Sequence, residues 1–170
     1  MEIIRAKTAG FCFGVDRAVR MTEQLANEGH KVATLGPLIH NPQCVAALEK
    51  QGVITVDTPQ QLPDGYEVVI RSHGVGEDVY AALRERGATI NDATCPFVAK
   101  IQKIAAQAGK EGALLLIAGD KNHPEVQGIV GHACGEVVVF ADPDQLREIS
   151  TAENREKSVC PSLDGRLYCG

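Results

Sequence analysis

At 170 residues, 44% of them hydrophobic and 23% charged, the chain is long enough to bury a core as one ordinary domain or two small ones. A net charge of −5, 4% aromatics and no Trp argue against nucleic acid as a partner. The longest aliphatic run, 113–118, is too short to cross a bilayer, so no membrane association is expected. The opening residues lack the apolar stretch of a signal peptide, and a cytoplasmic location is the expectation. In that reducing setting the six cysteines (12, 44, 95, 134, 160 and 169) read as ligands, nucleophiles or packing residues rather than disulfides.

Short runs rich in Val, Ile and Leu predict strands over 2–7, 31–35, 53–56, 67–71, 88–92, 113–118 and 137–140. Helices are predicted between them over 15–28, 42–51, 76–86, 97–110 and 142–149. In the fourth, Phe97, Ile101, Ile104, Ala105 and Ala108 fall on one face at helical spacing. Gly29, Gly52, Gly87 and Gly112 each stand just past a helix, where a left-handed residue closes it. Strands and helices alternating through such short links predict an α/β fold with parallel strands and flanking helices. The polar segment 151–170 shows neither period and reads as an irregular tail.

Ligands of parallel sheets gather outside the carboxyl ends of the strands, and the reactive side chains fall there. Cys12 lies in AGFCFGVDRA between Gly10 and Gly14, His40 in GPLIHNP, His73 in SHGVG, Cys95 in DATCP, and His123 and Glu125 in GDKNHPEV. A lone cysteine is most often a small buried apolar residue. For Cys12, glycines on both sides and a following helix favour a ligand to a metal or cluster, because backbone amides and the helix's positive end attract anions. Cys95, followed by Pro96 at a helix start, has the same placement. Each histidine alone could be a structural loop residue. Three at strand ends beside Ser72, Asn41 and Asn122 make a polar cage for a charged group. Zinc held by Cys and His is one reading of this set; a diphosphate held by the histidines, with the cysteines on a separate metal, is another. Glu125 is either a favourable acid in a helix's first turn or a general acid at the mouth of a site. Cys44 and Cys134 read as packing residues, and His30 and His132 fall away from the strand-end set.

Taken together, GFCFGVDRAV, GPLIHNPQ, RSHGV, DATCPFVAK and GDKNHPEVQGIVG resemble the successive signature segments of the LytB reductases, in order over residues 1 to about 135. The resemblance implies α/β modules around a [4Fe-4S] cluster, of which this chain resembles the first one and a half of three. Carried over, it implies Cys12 and Cys95 as cluster ligands and His40, His73 and His123 as substrate-binding residues on the diphosphate. Glu125 becomes the catalytic acid that delivers a proton to an allylic hydroxyl. The implied reaction is reductive dehydroxylation of 4-hydroxy-3-methylbut-2-enyl diphosphate to isopentenyl and dimethylallyl diphosphate. That places the family in non-mevalonate isoprenoid synthesis. Its partners are the small allylic diphosphate and a ferredoxin- or flavodoxin-like electron donor.

On this reading, residues 1–13 hold the first strand and the Cys12 loop, 14–95 a first module, 96–150 part of a second, and 151–170 a tail unlike the family. The family's third cluster cysteine sits in a segment like ICYAT-x-NRQ, which has no counterpart here, so a truncated, split or frame-shifted member is expected. Cys160 is close enough along an extended chain to reach, but nothing in the sequence orients it. Apolar surface left by missing modules is expected to promote association. The alternative is a diphosphate-binding or zinc-binding module without redox activity.

Overall fold

The computed structural model describes residues 3–147 apart from 5, 8 and 146. Contacts divide the chain into two units. Residues 1–72 and 88–95 form the first, and 73–87 and 96–170 the second.

The first unit is built on four parallel strands in the order β2-β1-β3-β4: β1 (Val32–Leu35), β2 (Ile54–Val56), β3 (Glu67–Ile70) and β4 (Ile90–Asp92). All four residues of β1 are buried, as are Val68, Val69 and Ile70 of β3, which explains why these strands read as unbroken apolar runs. Helix α1 (Phe13–Asn27) adds Ala18 and Val19 to a core with Val32, Leu38, Leu48, Val53, Val69 and Ala93. Thr22 is buried on the same helix without penalty, because its hydroxyl donates to the Ala18 carbonyl at 2.9 Å. Helix α2 (Pro42–Lys50) is capped by Asn41, whose side chain accepts from the Cys44 N–H at 3.0 Å, and a one-turn 3-10 helix follows at Pro59–Gln61. The helix-closing glycines Gly29, Gly52, Gly87 and Gly112 all have positive φ, as predicted.

At the amino end of β3, Asn91 donates to Glu67 at 2.8 Å and His30 bonds the other carboxylate oxygen. The Asn91 bond, with His30 second to it, holds Glu67 below the usual carboxylate range near 4.5. A carboxylate with a depressed pKa stabilises the fold above its unfolded pKa and loses that contribution as pH falls through the folded one. Asn91→Ala is therefore expected to lower the urea midpoint at pH 6–7 and to converge on wild type toward pH 3. A constant offset across that range would show that Asn91 acts through packing instead.

The predicted strand 2–7 does not form: the described residues of that stretch are not in a strand, and Ile3 and Ile4 are 84% and 83% exposed. Apolar β-branched residues supply propensity, but a strand also needs a neighbour to satisfy its amides, and no strand lies beside this segment among the described residues.

The second unit holds α3 (Glu77–Glu85), α4 (Pro96–Lys110), α5 (Pro124–Val130) and a parallel pair of strands, β5 (Leu115–Ala118) with β6 (Val137–Phe140). Helix α5, absent from the predicted helices, packs on α4. Helix α4 corrects the predicted face. Ala105 and Ala108 are buried as expected, but with Val98 and Gln102, while Phe97 is 73% and Ile101 40% exposed. Neighbours on two sides, α5 and β5, fix the rotation of α4, and apolar periodicity alone does not encode that. The remaining apolar side chains stay on the surface. Of the predicted helix 142–149, residues 143–145 and 147 are helical; the rest, and the tail with Cys160 and Cys169, lie outside the described residues. Among the described residues, no helix is long and apolar enough to cross a membrane.

Candidate functional site

In the first unit the two cysteines singled out by the sequence both lie near the start of α1. Cys12 is the N-cap of α1 in an extended conformation, exposed, with its thiol free. A Cβ built on Gly14, in the first turn, would lie 2.9 Å from the Cβ of Cys95 and 3.0 Å from its Sγ. The second thiol is thus seated against the helix's first turn, in space that only glycine leaves open. Both cysteines thus belong to the positive end of a 15-residue helix, Cys12 as its cap and Cys95 against its first turn.

The Cys95 loop is held in three ways. The β3–β4 ladder runs on through Ala93 N–H to Ile70 O at 3.1 Å and Cys95 N–H to Ser72 O at 2.9 Å. Asp92 Oδ1 accepts from the Thr94 N–H at 2.8 Å and from the Thr94 hydroxyl. Arg17, on α1, donates to the carbonyls of Thr94 at 3.2 Å and Asp92 at 3.1 Å. Arg17 ties the helix that carries Cys12 to the loop that carries Cys95, and sequence reasoning gave it no role. It stands in the quoted GVDRA segment, but only the fold reveals its bonds.

His40 is exposed in the loop that leaves β1, which Leu38 anchors in the core. The loop starts at Gly36, with φ of +72° and its N–H on Val56 O at 2.7 Å. Over this glycine lies Arg71, the residue after β3: a Cβ at position 36 would be 2.8 Å from Arg71 Nη1. The guanidinium is half-buried, and burial pulls its pKa below the ordinary arginine value. Its Nε is fully enclosed with no hydrogen-bond partner, and among the described residues no carboxylate pairs with it.

The second unit gathers His73, His123 and Glu125. The rings of His73 and His123 meet edge-on with centroids 5.7 Å apart. His123 is the N-cap of α5, and its Nδ1 accepts from the Glu125 N–H at 3.3 Å. In the neutral ring an accepting Nδ1 leaves the proton on Nε2, so His123 keeps Nε2–H as a donor. Glu125 is half-buried in the first turn of α5. Gly128 lets the helix approach, since a Cβ there would lie 3.3 Å from the His73 carbonyl oxygen and 3.2 Å from Gln102 Nε2.

The residues set aside by the sequence mostly have structural partners. His30 pairs with Glu67, and His132 bonds the Gly128 carbonyl at 2.9 Å and lies edge-on to Tyr80. Cys44 packs against the first unit's core, where burial first and Glu23 second push its thiol pKa up. Cys134 is a correction: it is exposed rather than packed, because it follows α5 in a turn whose backbone, not its side chain, presses on Gly109. Among the described residues, no three His, Cys, Asp or Glu side chains are gathered so as to hold a metal ion. The described residues thus offer Cys12 and Cys95 near the start of α1 as candidate thiolate ligands and gather no third with them. The zinc reading lacks a third ligand among them in the same way.

Fold and side chains together define a parallel α/β protein with one cysteine capping α1, a second in the loop after β4, and histidines in the loops after β1, β3 and β5. The chain belongs to the LytB protein family, whose model matches residues 3–162, a span that runs past Ile149. It is 49% identical over 149 residues to a 4-hydroxy-3-methylbut-2-enyl diphosphate reductase of Citrifermentans bemidjiense, covering 88% of this chain and 53% of the relative. A reductase of the same name from Desulfovibrio desulfuricans is 45% identical over 98% of this chain and 64% of its own. A solved (E)-4-hydroxy-3-methyl-but-2-enyl diphosphate reductase, described as the terminal enzyme of the non-mevalonate pathway, matches at TM-score 0.77 with 42% identity, over 89% of this chain and 55% of that one. A Plasmodium falciparum reductase matches at 0.77 with 26% identity, over 84% and 45%. The chain spans about half the length of most of these relatives.

Proposed function

We propose that this chain is the cluster- and diphosphate-binding portion of a 4-hydroxy-3-methylbut-2-enyl diphosphate reductase. The observation that carries the reading is the seating of Cys95 against Gly14, on the helix that Cys12 caps. In the reaction a C–O bond breaks. Two electrons and one proton convert the allylic carbon to C–H, and a second proton carries the oxygen away as water. A [4Fe-4S] cluster, when bound, supplies those electrons one at a time and an electrophilic iron for the departing hydroxyl.

Cys12 and Cys95 would be two of that cluster's ligands, with a ferredoxin- or flavodoxin-like protein as the electron source. His40, His73 and His123 donate to the diphosphate oxygens and orient the reacting end of the substrate. The Nε2–H of His123 suits that role, with Nδ1 occupied by the Glu125 amide. Glu125 hands over the proton that leaves with the hydroxyl oxygen. The setting is cytoplasmic isoprenoid synthesis.

Two measurements test the reading. Reconstituted anaerobically with iron and sulfide and given reduced methyl viologen, the 170-residue chain should turn over little, and the same chain extended to the relatives' length should be active. Comparable turnover from both would mean that Cys160, Cys169 or a second copy supplies the missing thiolate; no turnover from either would sink the reductase reading. In the extended protein, His40→Ala and His123→Ala should weaken diphosphate binding about tenfold each, the loss of a charge-assisted hydrogen bond, and leave the iron content intact. Iron lost from either variant would point to histidine as a metal ligand.

A further inference from the structure

Arg71 stands out because nothing among the described residues balances it. Removing a guanidinium from water costs free energy unless a carboxylate or acceptors replace the lost hydration. Here Nε is enclosed without a partner, and no carboxylate is paired with the group among the described residues. Glycine at position 36 leaves room for Nη1 over the end of β1, and a methyl group there would collide with it.

We infer that Arg71 is a further substrate-binding residue, a permanent cation held at the ends of β1 and β3 to receive an oxygen of the diphosphate; this rests on the reductase reading above. Three observations choose that ligand class. In the first unit's strand-end loops 36–41, 71–72 and 93–95 Arg71 is the one Lys or Arg, the second unit's loop 119–123 contributing Lys121. A chain of net charge −5 repels a polyanionic substrate unless a local cation offsets the repulsion. The side chain also turns from β3 toward Gly36, which opens the loop carrying His40, whereas the Cys95 amide bonds the Ser72 carbonyl on the β4 side. Arg71 thus serves the phosphate-facing loop rather than the thiol-bearing one. A planar guanidinium can hold two phosphate oxygens at once, which imidazole cannot.

The test is isothermal titration of inorganic diphosphate into the holoprotein at two ionic strengths, with Arg71→Met, Arg71→Lys and His40→Ala beside wild type. Arg71→Met should bind about tenfold or more weakly. It should also lose part of the salt dependence and unfold at the same or a higher temperature, because an unpaired buried charge is gone. Arg71→Lys, which keeps the charge, should recover part of the affinity. If Arg71→Met binds as wild type does while His40→Ala is weakened, Arg71 is no ligand and the reductase reading stands. If Met and Lys variants lose affinity equally and both melt early, Arg71 only props the Gly36 loop and the inference is overturned. Wild-type protein that ignores diphosphate altogether sinks the reductase reading with it.

Discussion

Gly14→Ala is expected to cost the protein most of its cluster iron. The added methyl would lie 2.9 Å from the Cβ and 3.7 Å from the Cα of Cys95, so it meets a short side chain next to backbone, not a flexible tip that can swing aside. The Cys95 loop cannot yield freely, because Arg17, Asp92 and the Ser72 carbonyl all hold it. Overpacking of this kind costs about 1–3 kcal/mol, a few tenths of an ångström of movement, and here that movement displaces a proposed iron ligand. Gly10→Ala is the control: no atom lies within 4 Å of a Cβ there, and iron content should match wild type. Iron per chain and the visible absorbance of the reconstituted protein are the readouts, with the urea midpoint measured alongside. A fully loaded Gly14→Ala protein would mean that the Cys12–Cys95 pairing is not the cluster seat.

In the chain extended to its relatives' length, Glu125→Gln should lower turnover by about 10²–10⁴-fold while diphosphate affinity and iron content stay near wild type. The amide keeps the shape of the side chain and its half-buried place in the first turn of α5, but it has no acidic proton to give. Losing a negative charge at a helix start costs only about 0.3–1 kcal/mol of stability. A hundredfold loss of rate corresponds to about 2.7 kcal/mol of activation free energy, so destabilisation of α5 is too small to imitate the effect. Steady-state turnover with reduced methyl viologen, beside the melting temperature, separates the two. A variant that keeps most of its rate would remove Glu125 from the proton path.

The alternation of apolar runs and amphipathic segments made six strands and four helices legible, because burial of both sheet faces writes itself into the sequence as Val, Ile and Leu. What failed was anything decided by a partner. Residues 2–7 have a strand's composition, and composition says nothing about whether another strand stands alongside. The face of α4 was misread because Gln102 and Phe97 exchange the roles that hydropathy assigns them. Seven-residue α5, with Pro124 and Gly128, is too short for a period to show. Apart from Cys12, whose predicted strand does not form, the candidate site was legible as residue types at strand ends. Its supports were not: Arg17 bonds carbonyls 75 and 77 residues away, and the burial of Arg71 over Gly36 exists only in the fold.

The β5–β6 pair carries a consequence for how the protein breathes. Its strands bond one another in register from Leu115–Val137 to Ala118–Phe140, and no third strand joins either flank among the described residues. In the four-stranded sheet β1 and β3 are each bonded on both sides, so freeing one of their amides means breaking into the middle of a ladder. In β5 and β6 every amide is at most one broken contact from solvent. Deuterium should therefore enter 115–118 and 137–140 through small local openings, long before it reaches 32–34 and 68–70. The same outward-facing amides and carbonyls are a docking template for any extended segment that comes to lie beside them.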